Sequence, residues 1–173
     1  WDFEKDLIND YLKAISHTSI TFVEIGFRNY LNKGFKGALA FSSDDYLNSL
    51  SIPKNVQIGV MINASDLIKE INHVVILEKL FPNNSKNSHV KLVRIACHLE
   101  EINIALESSK WLAKHGFKVG INLMQISEIS NAEIITISKK INSYPIDVFY
   151  FADSLGNINS QKVKVILNTI KRH

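Results

Sequence analysis

Five apolar, β-rich runs punctuate the chain: TFVEIGF (21–27), VQIGVMI (56–62), VKLVRIA (90–96), KVGINLM (118–124) and IDVFYFA (146–152). Helical patterns fall between them. Residues 2–17 (DFEKDLINDYLKAISH) place Phe3, Leu7, Ile8, Tyr11, Leu12 and Ile15 on one helical face. Residues 99–116 read as a helix ended by Gly116. SNAE (130–133) is a capping box that opens a helix over 131–142, and a last helix starts at Ser160 and runs over 160–171. The segment 38–50 reads as a turn and a short helix, and FPNNSKNS (81–88) as the most loop-like stretch.

The runs begin roughly every 27 to 35 residues, the spacing of βαβ units in a parallel sheet. Two architectures fit. Five strands suit an open, doubly wound, flavodoxin-like sheet, or they form part of a (β/α)₈ barrel, which needs about 250 residues. Length favours the open sheet. Parity favours the barrel, because alternate strand residues fall into two sets. One is apolar: Val23 and Ile25; Ile58, Val60 and Ile62; Val93, Ile95 and Cys97; Ile121 and Leu123; Val148, Tyr150 and Ala152. The other carries Glu24, Asn63, Arg94 with His98, Asn122, and Asp153. An open sheet would bury these polar groups singly under helices, whereas a barrel gathers them at its mouth.

Composition removes several classes of function. A 46 % apolar and 21 % charged chain of 173 residues is one ordinary globular domain, or a piece of one. The net charge of +3 is spread along the chain without a basic, aromatic-rich stripe, so no nucleic-acid partner is expected. Cys97 is the only cysteine, which excludes an internal disulfide, and no Cys/His spacing suggests zinc. No apolar stretch reaches the ~20 residues of a membrane span and nothing resembles a signal peptide, so the expected address is the cytoplasm. The segment VFYFADSLGNI (148–158) carries an acid to the end of an apolar strand. Asp153 either caps the following turn or belongs to a ring of polar groups around a site.

VEIGF (23–27), VRIACH (93–98), VGINLMQIS (119–127) and FADSLGNINSQKV (151–163) resemble, in order and spacing, strands two, four, five and six of lyases like hydroxymethylglutaryl-CoA lyase. The likeness is greatest to the 4-hydroxy-2-oxovalerate aldolase branch. It implies one barrel domain over residues 1–173 that lacks the first strand and the last two βα units. It also implies C–C bond cleavage or formation on a 2-oxo acid or aldehyde substrate through an enolate stabilised by Mg²⁺, Mn²⁺ or Zn²⁺. The family's Arg-Asp pair on strand one and His-x-His on strand seven have no counterpart here, so the metal ligands are expected to be absent and this chain alone inactive. Two unpaired sheet edges would favour self-association.

Carried over position by position, the resemblance makes Glu24, His98 and Asp153 the catalytic candidates and Arg94, Ser127, Ser154 and Asn63 the substrate-binding ones. Glu24 matches an acidic strand-two position near the substrate, His98 the strand-four histidine of the aldolase branch, and Asp153 with Ser154 the Asp-Ser/Thr pair ending strand six. The plainer alternatives are a Glu24–Arg94 ion pair across the barrel and loop or cap hydrogen bonds for Ser127 and Asn63. Two other functions stay open: an acyl-CoA-dependent condensation of the isopropylmalate or homocitrate synthase type, and a non-enzymatic flavodoxin-like binding or regulatory domain. The strand order decides against the last if it runs in simple succession.

Overall fold

A computed structural model describes residues 1–30, 34 and 36–173. Helix α1 (Lys5–Ser16) leads into β1 (Phe22–Phe27). There follow α2 (Asp44–Asn48), β2 (Gln57–Asn63), α3 (Ala64–Leu67), α4 (His73–Leu80) and β3 (Val90–Cys97). The chain continues through α5 (Ile102–Lys114), β4 (Lys118–Leu123), α6 (Asn131–Ile141), β5 (Val148–Phe151) and α7 (Ser160–Arg172). The capping box forms as expected, with the Ser130 hydroxyl accepting from Glu133 N–H and the Glu133 carboxylate accepting from Ser130 N–H. Gly116, at φ 83°, follows the end of α5.

All strand pairs are parallel and the order is β1-β2-β3-β4-β5. Simple succession has no reversal point, which sets aside the doubly wound alternative. The sheet is also curled. Lys118 on β4 lies with its ammonium 5.5 Å from the Phe22 ring on β1, although three strand spacings in a flat sheet are about 14 Å. Arg94 on β3 reaches Glu24 on β1 and lies 5.5 Å from the Tyr150 ring on β5. The result is an arc with a concave face, open at β1 and β5.

Ile58, Val60, Ile62, Val93, Ile95, Cys97, Ile121 and Leu123 are buried on the convex side, where α3 and α5 pack against the strands. Burial also pushes the Cys97 thiol up to about 12. Gly26 is demanded by close approach, since a Cβ there would stand 2.1 Å from the Leu39 carbonyl oxygen. It follows a bulge: Glu24 pairs with Gly59 and Gly26 with Val60, so Ile25 is passed over.

Two expectations need correction. In β5 the register sets Ile121 against Phe149, Asn122 against Tyr150 and Leu123 against Phe151. Phe149 and Phe151 therefore pack on the convex core while Val148 and Tyr150 face the concave side, the reverse of the parity read from the sequence. The strand ends at Phe151, so Asp153 lies beyond the alternation from which that parity was extrapolated. The helix predicted over 2–17 begins only at Lys5, and on its apolar face Ile8 and Leu12 are buried, but Leu7 and Tyr11, with Phe3 ahead of the helix, are 52–59 % exposed. Only Ile8 and Leu12 of that face join the core, with Ile15 packed against it.

Candidate functional site

The concave face is built from the residues that parity selects on β1 to β4, plus Tyr150. Arg94 donates its Nε–H to Glu24 Oε2 at 2.6 Å and an Nη2–H to Oε1 at 2.5 Å. This fork-to-fork geometry is the strong, orienting form of an ion pair. Both side chains remain reachable, at 24 % and 33 % exposure. A guanidinium has five N–H donors. Two are used, and the remainder have no protein partner among the described residues. Tyr150 flanks the guanidinium, and Gly120 makes room for its ring: a Cβ there would lie 2.9 Å from the phenyl edge.

Asn63 and Asn122 stand at or near the C-terminal ends of β2 and β4. Asn122 is buried and pairs in register with Ala96 and Tyr150. Among the described residues neither amide makes a side-chain hydrogen bond, although Asn63 occupies the N-cap position of α3. A buried, unpaired amide on the same sheet face as Arg94 offers both donor and acceptor to a polar ligand.

His98 follows β3 directly. Its backbone N–H donates to Glu101 Oε2 at 2.9 Å, and its Nδ1 lies 3.5 Å from the same oxygen. Glu101 thus anchors both the strand end and the imidazole at the start of the 3₁₀ turn Leu99–Glu101.

Asp153 forms a second group with the loops after β4 and β5. Its Oδ2 accepts from Ile158 N–H at 2.8 Å, which closes the turn after the strand. Burial opposes the charge, but hydrogen bonds from the Ile158 and Asn157 amides hold the carboxyl below the usual carboxylate range. The other oxygen, Oδ1, is buried without a hydrogen-bond partner. Nearby, the Lys162 ammonium donates to the Ser127 carbonyl at 2.7 Å and the Ile126 amide to the Ala152 carbonyl at 3.1 Å. Ser127 is buried, and its hydroxyl makes a long 3.4 Å contact to Glu128. Ser154 is exposed. Gln125, just past β4, adopts φ 53°, a left-handed conformation that non-glycine residues hold at a cost.

The structure therefore joins Glu24 to Arg94, places Asn63 and His98 at strand ends and Ser127 and Asp153 in the loops after β4 and β5, and leaves Ser154 exposed. No direct contact links Asp153 to Glu24 among the described residues. Tyr150 escaped sequence reasoning because nothing polar in VFYFA marks the register. Asn122 carried the right signal, an amide on the polar face, and belongs with the candidates. Among the described residues no group of three or more His, Cys, Asp or Glu side chains is placed to hold a metal ion. The orphaned Asp153 Oδ1 is one spare carboxylate oxygen, which is too little for a divalent-cation cage.

No family model matches the chain. It is 28 % identical over 141 residues to a 4-hydroxy-2-oxovalerate aldolase of Carboxydothermus hydrogenoformans, covering 81 % of this chain and 38 % of that protein. It is 31 % identical over 67 residues to 4-hydroxy-2-oxovalerate aldolase 2 of Rhodococcus jostii, covering 39 % of this chain and 20 % of that protein. The whole chain superimposes, with a TM-score of 0.76 and 26 % identity, on 56 % of a crystallised N-terminal domain of a protein from Bacteroides vulgatus provisionally described as an aldolase. The chain thus spans well under half the length of these curated relatives, and it is similar to aldolases in both sequence and fold.

Proposed function

We propose that the chain is the greater part of an aldolase-type lyase barrel whose substrates are 4-hydroxy-2-oxo acids. The observation that carries this reading is the Arg94 guanidinium, held by Glu24 on the concave face with N–H donors to spare. Those donors suit a 2-oxo acid's carboxylate, and Glu24 acts by orienting Arg94. Asn122 and Tyr150 lie beside that position to hold the substrate's carbonyl and hydroxyl oxygens. In the cleavage direction the C4 hydroxyl gives up its proton, the C3–C4 bond breaks, and C3 is left as an enolate that is then protonated. His98 is the proton carrier we favour, because Glu24 is committed to Arg94 and Asp153 to its turn.

A divalent metal that stabilises the enolate is part of what the aldolase likeness suggests for the whole protein. The described residues do not make a cation site, and the steps assigned above use only side chains of this chain. We propose further that the free edge of β1 and the exposed Phe3, Leu7 and Tyr11 are covered by another βα element in the complete barrel. In that reading the 173 residues by themselves have no measurable turnover.

The test is to give the full-length protein 4-hydroxy-2-oxo acids and follow pyruvate release by a coupled assay. A parallel reaction with acetyl-CoA and 2-oxo acids is followed by thiol release. Pyruvate formation that is lost in Arg94→Met supports the proposal. Thiol release without pyruvate moves the protein to the condensing enzymes.

A further inference from the structure

At the N-terminal ends of the strands, away from Asn63, His98 and Asp153, the loops entering β2 and β3 line a cavity of about 590 Å³. Lys54, Lys86 and Lys91 line it, with His89, and no aspartate or glutamate does. None of the three lysines makes an ion pair among the described residues. Like charges gathered around one concavity raise its potential and concentrate anions there.

The cavity is shaped in advance. The strand register passes from Ile58–Val90 to Gly59–Leu92, so Lys91 sits in a bulge, a device that re-aims a side chain. Its ammonium donates to the Ser85 carbonyl and, at 2.8 Å, to the Ser88 carbonyl, which leaves a third N–H. Asn84 Oδ1 accepts from the backbone N–H groups of Lys86 and Asn87, and the Ser88 hydroxyl donates to Asp44 at 2.6 Å. Lys86 is therefore presented from a hydrogen-bonded loop and Lys91 from the bulge at the start of β3, with Lys54 on the facing loop. Ile52, Pro53 and Val56 supply an apolar wall on that second side.

We infer that this cavity binds a phosphate-bearing small molecule, with Lys54, Lys86 and Lys91 around the phosphate oxygens and Ile52, Pro53 and Val56 against its apolar or planar body. A multiply charged tetrahedral anion uses several ammonium groups at once, whereas a single carboxylate does not. The volume lies within the range of small-molecule sites. The seven residues of β2 separate it by about 20 Å from the C-terminal strand ends, where Asn63 and His98 lie.

The test is a titration of the full-length protein with inorganic pyrophosphate and with ADP at low salt, read by calorimetry and by amide NMR shifts. Both probes are expected to saturate, with shifts confined to residues 52–57 and 84–91. ADP should bind more tightly, because pyrophosphate leaves the apolar wall unused. K54E/K86E, two exposed positions, should weaken both by about tenfold or more. K5E/K171E, the same charge change elsewhere, should leave binding within a factor of two. No saturable binding up to about 10 mM overturns the proposal, as does an equal loss in both double variants. Equal affinity for pyrophosphate and ADP removes the apolar wall from it.

Discussion

Arg28 and Arg94 each hold a carboxylate in the same curled sheet, in contrasting surroundings. Arg28, immediately after β1, is 2 % exposed and reaches Asp44 at 2.6 Å. It also donates to the Ser42 carbonyl at 3.0 Å and the Leu80 carbonyl at 2.8 Å, and it lies 4.9 Å from the centre of the Phe81 ring. Asp44 accepts in addition from Ser88 and Asn83. Three of the five Arg28 N–H donors and both Asp44 oxygens are engaged by the protein, and both side chains are shut away from solvent. Arg94 and Glu24 are equally close but stand on the concave face with donors unused. Distance does not separate a strut from a site. Unspent hydrogen-bonding capacity in reach of a ligand does.

The largest effect should come from removing one partner of the buried pair. Asp44→Ala leaves Arg28 charged and enclosed, and should lower unfolding free energy by about 3–5 kcal/mol in a denaturant titration. A loss below about 1 kcal/mol would break the comparison. Arg94→Met should do the converse. It is expected to change stability by less than about 1 kcal/mol, while kcat/KM for the 2-oxo acid falls on the order of 10²-fold in the full-length protein. A variant that loses stability and keeps activity would make Arg94 a second strut.

The smallest effect is in acid. Burial works against the Asp44 charge, yet hydrogen bonds from Ser88, Asn83 and Arg28 hold its carboxyl below the usual carboxylate range. Because the folded value is the lower one, this stabilisation is present above the unfolded value near about 3.9 and is lost as pH falls through the folded one. Thermal melts from pH 6 down to pH 3 should therefore show a decline that is shallower in Asp44→Asn. An unchanged slope would mean that Asp44 contributes no proton linkage.

Much of this arrangement is legible in the chain. The five strands follow from apolar runs bounded by turns, and the concave face on β1 to β4 follows from Glu24, Arg94 and Asn122 alternating with buried aliphatics. The sheet's simple succession was not legible, since periodicity carries no information about strand order. Misreading β5 had a local cause: with every position apolar, only its register with β4 can say which residues face inward. Asp153 lies past the end of β5, where its carboxylate accepts from Ile158 N–H across the turn, a contact that strand parity does not specify. The strut Arg28–Asp44 left no signal, because its partners are mostly backbone carbonyls and hydroxyls brought in by the fold. Helix α4 carries only a weak amphipathic stripe, so its bounds are not legible in the sequence.

The neighbour-by-neighbour strand order carries a consequence for kinetics. Each strand pairs only with those just before and just after it in sequence. Closing each new pairing therefore requires a loop of only one helix and its turns, and the entropy of long-range closure never falls due at once. Parallel sheets are ordinarily slow to assemble because their contacts are distant in sequence. Here the arc can lengthen unit by unit as the chain leaves the ribosome, each helix docking on strands already in place. Within these residues β5 is the last strand added, and with Val148 38 % exposed the 173-residue chain should show its fastest strand hydrogen exchange there.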